Sequence, residues 1–111
     1  MAVSSDYLDF VLEQLAPVGP LTSRKMFGGV GLYAQGLFFA LIDDDTLYLK
    51  GDETLRDDFE AAGGVRFAPS GMSPMAYWSA PAEALDEPEL MVAWARRSIA
   101  VAAARKTRKR K

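Results

Sequence analysis

The chain has 111 residues and contains neither cysteine nor histidine. Disulfides, thiolate zinc sites, thiol nucleophiles and imidazole acid–base chemistry are therefore excluded, leaving carboxylates, Lys, Tyr and Ser as the reactive side chains. The formal charge of −2 averages two unlike parts: residues 105–111 hold six of the thirteen Lys and Arg, so an acidic body of −8 precedes a basic tail of +6. The length suits one domain that buries roughly 65% of its unfolded surface. Half the residues are apolar and a quarter are charged, as in a soluble globular protein. The first residues show no basic region followed by an apolar core, and no apolar run approaches a membrane span, so a cytoplasmic location is expected.

In chain order, Ser5 is placed to cap a first helix with Asp6 in its opening turn. Leu8, Val11, Leu12 and Leu15 recur at helical spacing, and Pro17, Gly19 and Pro20 stop the helix. From 21 to 50 the pattern becomes extended: 26–27, 30–34, 37–42 and 46–50 read as short strands. Gln35-Gly36 and Asp43-Asp44-Asp45 read as turns, and such tight links predict antiparallel neighbours. Residues 52–62 read as a second helix with Leu55, Phe59 and Ala62 on one face and Gly63-Gly64 as its stop. Two further strands are expected at 65–67 and 75–79, around a loop at 69–74. Asp86 opens the longest helix, with Glu89 completing a capping box and Pro88 in the first turn. Leu90, Met91, Trp94 and Val101 form its apolar face, and Val92, Ala95 and Ile99 widen the arc to about 200°. So wide an arc calls either for the first helix on its flank or for a second subunit. Val92, Ala95, Ile99 and Ala102 are the candidate homodimer or partner surface. The expected fold is α+β and two-layered, an antiparallel sheet with helices on one side, in the order α-β(3)-α-β(2)-α, where 26–27 merges into the strand that follows it. The domain is expected over 5–104, followed by the tail.

Few segments suggest chemistry. Gly28-Gly29-Val30-Gly31 leads into extended residues rather than a helix, so no helix dipole meets a phosphate, and a bulge or a close strand crossing is the favoured reading. Arg24 and Lys25 precede this turn and, with Gly28 and Gly29, form a candidate contact for an anion or a partner. Asp43-Asp44-Asp45 lacks the oxygen spacing of a calcium loop. The acids of the second helix read as a solvated face. The aromatic set Tyr33, Phe38, Phe39, Tyr48, Phe67, Tyr77, Trp78 and Trp94 reads as core packing, because basic residues are not interleaved with it along the chain. No catalytic, cofactor-binding or metal-ligating residue is assigned.

Arg24-Lys25-Met26-Phe27-Gly28-Gly29-Val30-Gly31-Leu32-Tyr33, then Phe39-Ala40-Leu41-Ile42 and Leu47-Tyr48-Leu49-Lys50, resemble the N-terminal domain of the TfoX/Sxy family. Phe67 after Gly63-Gly64, Met75-Ala76-Tyr77, Pro81, and Trp94-Ala95-Arg96-Arg97 extend the resemblance over nearly the whole chain. It implies a secretion-chaperone-like two-layer fold and a bacterial protein linked to natural competence. Full regulators of this family act as transcriptional coactivators and carry a second, C-terminal helical domain. The present chain resembles a stand-alone form ending in the basic stretch. No catalytic residue carries over from the family.

Three functions follow as expectations. The first is a non-enzymatic regulatory or protein-interaction module with an unidentified protein partner. The second is a nucleic-acid-associated protein, non-specific in its contacts, using Arg105, Lys106, Arg108, Lys109, Arg110 and Lys111. The third is a small-anion or ligand-binding protein or enzyme at the Arg24, Lys25 and Gly28-Gly29 turn.

Overall fold

A computed structural model describes residues 4–26, 29–68 and 75–109, without the side chains of Met26 and residues 105–109. Helix α1 spans Ser5–Leu15, and its N-cap is Ser4, one residue before the expected Ser5. The Ser4 Oγ accepts a hydrogen bond from the Tyr7 N–H at 3.1 Å, which satisfies one of the open donors of the first turn. A 3₁₀ turn at Ala16–Val18 and Gly19 then lead into β1, Leu21–Met26. Strand β2 spans Gly29–Ala34, β3 Leu37–Asp43 and β4 Thr46–Lys50. Both hairpin turns have two consecutive positive φ values, 53° and 79° at Gln35-Gly36 and 52° and 53° at Asp44-Asp45. That is the left-handed pairing that matches the twist of the flanking strands.

Helix α2 covers Glu53–Ala61 and is capped by Asp52, whose carboxylate accepts from the Thr54 and Leu55 N–H groups at 2.9 and 3.3 Å. Strand β5 is Tyr77–Ser79. The sheet is a five-stranded antiparallel meander in the order β1-β2-β3-β4-β5. Among the described residues four strands therefore precede α2 and one follows it, where three and two are expected. Of the expected strand at 65–67 only a single bridge forms, Arg66 to Trp78. The Phe67 and Ser79 N–H groups bond across it to Tyr77 O and Val65 O, both at 2.8 Å, before the chain leaves the edge.

The end of the chain differs from the capping-box expectation. Asp86 closes a short helix α3, Ala82–Asp86, and α4 runs over Pro88–Lys109. The first intrahelical bond of α4 goes from the Met91 N–H to Glu87 O at 3.0 Å, so Glu87 holds the cap position. Five residues with one buried alanine are too few to leave a periodic signature, so α3 was invisible to pattern reading.

Residues opposite one another in register share a face of the sheet. Leu32, Ala40, Leu49 and Trp78 form one row across four strands, and Val30, Ile42 and Leu47 form the next. All are buried, and all belong to the cluster that takes Val11 and Leu15 from α1, Leu55 and Phe59 from α2, Ala84 from α3 and Met91 and Ala95 from α4. Every helix thus packs on the same face. Phe39 joins this cluster beside Ala40, which strict alternation forbids. A register shift between Leu32 and Tyr33 makes Phe39 the extra residue of a β-bulge and turns it inward. Phe59 is sandwiched, with its ring 5.7 Å from that of Trp78 and 4.7 Å from that of Trp94, so one stack ties sheet, α2 and α4 together.

Candidate functional site

Arg24 and Lys25 lie on β1, the outermost strand, and both are exposed. Lys25 is in register with the core residue Val30, and Arg24 with Gly31. Consecutive strand residues project to opposite faces, so Lys25 leaves on the helix side and Arg24 on the other. They flank the edge rather than converging on one small anion. The Arg24 guanidinium lies 6.0 Å from the centre of the Tyr33 ring.

Gly29 begins β2 opposite Met26 and is buried. A Cβ placed there would meet the Ile42 carbonyl oxygen at 2.2 Å, so only glycine permits this approach of β2 to β3. The close strand crossing read from the glycine cluster accounts for Gly29. Gly28 lies outside the described residues.

The aromatic set divides between the two faces. Phe39, Trp78 and Trp94 pack on the helix side, as core reading expects. Tyr33, Phe38, Tyr48, Phe67 and Tyr77 lie on the opposite face, where Phe67 and Tyr77 are buried with Leu41 in a second, smaller core and Phe38, Tyr48 and Met75 pack against it. Tyr33 stacks on Phe38 at 5.1 Å, Phe38 tilts against Tyr77 at 5.5 Å, and Tyr48 against Phe67 at 4.7 Å. Cations are interleaved there after all: Arg24 reaches Tyr33, and the Lys50 ammonium lies 4.8 Å from the Tyr77 ring and donates to its hydroxyl at 3.2 Å. Linear spacing carries no trace of this interleaving, because the neighbours come from adjacent strands. Burial, and then the carboxylates of Asp43 and Asp44, hold the Tyr48 hydroxyl above its usual range.

Of the candidate partner surface on α4, Ala95 and Ala102 are buried in the protomer's own core, while Val92 and Ile99 are half-buried. Helix α1 packs against α4 and takes up part of the wide apolar arc. The carboxylates of α2 are largely solvated: Asp58 pairs with Arg97, and Glu60 with Arg56 at 3.7 Å. Among the described residues, no three acidic side chains gather closely enough to hold a metal ion, and no helix is long and apolar enough to cross a membrane. In the basic tail, the backbone of α4 continues through Arg105, Lys106, Arg108 and Lys109; Arg110 and Lys111 lie outside the described residues.

Residues 13–102 match the TfoX N-terminal domain family. The chain belongs to this family. The five-stranded antiparallel meander with its helices on one side is the TfoX N-terminal type of fold. The chain is also 40% identical over 50 residues to a protein named DNA transformation protein TfoX1 from Aliivibrio fischeri (strain ATCC 700601 / ES114). That stretch is 45% of this chain and 24% of the relative, so the likeness covers about a quarter of the relative's length. Within the TfoX N-terminal domain, the match begins inside α1 and ends at Ala102, before the basic stretch.

Proposed function

We propose that this TfoX N-terminal domain is a regulatory protein-interaction module without catalytic activity of its own, acting in the bacterial cytoplasm in a competence-related response. The observation that carries this reading is the family match over residues 13–102, joined to a relative whose name places it in DNA transformation. The exposed, chemically sparse surface supports it: the cations at β1 point away from each other, and the carboxylates of α2 are solvated or paired. The test is deletion and raised expression of the chain in its native host, reading DNA uptake and the transcript profile together. Both are expected to shift in opposite senses between the two strains. Unchanged uptake with an unchanged transcript profile would sink the reading.

A second reading rests on the continuation of α4 to Lys109, which places four tail cations along one unbroken helix. Such a helix end suits the phosphates of a nucleic acid. It also suits its own helix dipole, since cations stabilise a C-terminus. If about four cations meet phosphate, log K falls against log salt with a slope of roughly −3.6. Affinity for DNA and RNA that is unchanged on deletion of 105–111 rules this reading out.

A further inference from the structure

The geometry points to β1 as the acceptor for one further strand, an extended acidic segment of a partner protein added along the free edge of the sheet. The inference rests on the reading of the chain as an interaction module and names the chemistry of its partner. Among the described residues strand β1 pairs with β2 alone, in an unbroken register of six residue pairs. Thr22, Ser23, Arg24 and Lys25 are all exposed, and among the described residues no backbone bond joins β1 to any other segment. In an antiparallel edge strand alternate residues direct both N–H and C=O outward, so six residues offer about six hydrogen bonds to an added chain.

Proteins usually blunt such an edge with proline, a bulge, a very short strand or a charge. β1 has neither proline nor bulge, and Arg24 and Lys25 are its charges. Pairing with a second copy would gather four cations along one short ladder, which like-charge repulsion disfavours. An acidic strand meets the opposite condition. Its consecutive residues also project to opposite faces, so two adjacent carboxylates would reach Lys25 on the helix side and Arg24 on the aromatic side at once. Lys25 and Leu21 share the helix side through their partners Val30 and Ala34. Beside Leu21 is an open hollow of about 470 Å³, also lined by Leu12, Ala16, Gly19 and Pro20. A segment antiparallel to β1 therefore fits as two consecutive acidic residues, two of any kind, and one apolar residue entering the hollow. A parallel segment carries the same pattern reversed.

The test uses the full chain and a fluorescein-labelled ten-residue peptide containing Glu-Glu-Thr-Thr-Leu, followed by anisotropy and by amide chemical shifts. The expected result is saturable binding, with shifts concentrated on residues around 12–26. The double variant Arg24→Glu/Lys25→Glu should lose about tenfold or more in affinity and recover it for a peptide with Lys-Lys in place of Glu-Glu. Ser23→Pro and Thr22→Pro supply a charge-independent check, since one of them removes an outward N–H; circular dichroism verifies that each is folded. Equal affinity for the two peptides, shifts confined to another surface, or self-association through β1 in sedimentation would overturn the inference. So would loss of single-stranded oligonucleotide binding in the double variant where the acidic peptide never binds. In the host, a double variant that keeps the full transcript effect removes this docking edge and leaves the regulatory reading standing. A deletion strain with no transcript effect removes the regulatory reading, whatever the peptide does.

Discussion

Gly29, Tyr7 and Ser98 show how much hangs on single atoms in this domain. The Ile42 carbonyl oxygen occupies the place a Cβ on Gly29 would need. Gly29→Ala must therefore push β2 off β3, and we expect a loss of about 2–3 kcal/mol in urea unfolding, more than a surface substitution gives. Tyr7 reaches from α1 to accept the Leu47 N–H at 3.1 Å, and burial holds its hydroxyl above the ordinary value of 10.0. The folded state thus keeps this proton longer than the unfolded chain does. The associated stability is complete below the unfolded value and is lost as pH rises through the folded one. Tyr7→Phe leaves Leu47 without its partner and should cost about 1 kcal/mol at neutral pH. It should also make the alkaline decline in stability shallower, with Tyr48 sustaining the remainder; an unaltered alkaline slope contradicts the assignment. Ser98 is wholly buried on α4, and its Oγ has no hydrogen-bond partner among the described residues. Ser98→Ala removes that orphan and should raise the midpoint of thermal unfolding, by an amount equivalent to about 1 kcal/mol.

Helices and strands were legible in proportion to how one-sided their burial is. α1 and α2 alternate buried and solvated faces at helical spacing, and their positions follow the pattern to within a residue or so. The hairpins were legible because glycine or paired aspartates supply the positive φ that their turns need. Of the expected strand at 26–27 only Met26 belongs to β1 and Phe27 lies outside the described residues, while 21–25 carry no strand signal for a physical reason. An edge strand whose middle residues are exposed has no apolar alternation to detect. That same property is what leaves its backbone open to another chain. The Trp78–Phe59–Trp94 stack joins three elements, and no spacing rule connects positions 59, 78 and 94. Phe59→Ala should cost about 3–5 kcal/mol, measured by denaturant unfolding, because the void would open between two rings that cannot both move inward.

For the molecule as a unit, charge and shape separate cleanly. The described chain has a radius of gyration of 13.1 Å, close to that of a compact domain of this size. Its acidic body and basic tail are visible in composition, and so is the absence of cysteine and histidine. The candidate site was only half legible. Arg24 and Lys25 stand out as adjacent cations beside glycines, and their neighbours in the chain suggest a contact for an anion or a partner. In the folded sheet they lie on opposite faces of a free edge. The wide apolar arc of α4 calls for α1 on its flank or for a second subunit; α1 covers part of it, and Ala95 and Ala102 are interior. Sedimentation at high concentration checks what remains: with Val92 and Ile99 only half-buried, Val92→Asp should shift any dimer towards monomer, and a dimer unaffected by it must associate elsewhere.

Residues close together in the chain settle the turns and the helix stops and carry the family resemblance, because each depends on short-range pattern alone. Two-layer α+β architecture follows as well, since buried faces must be covered. Which strand becomes the edge, which aromatics face the helices, and which cations meet which rings depend on register and packing between distant segments. Those choices were made by the sheet. They turned a pair of adjacent basic residues into the two sides of one open strand.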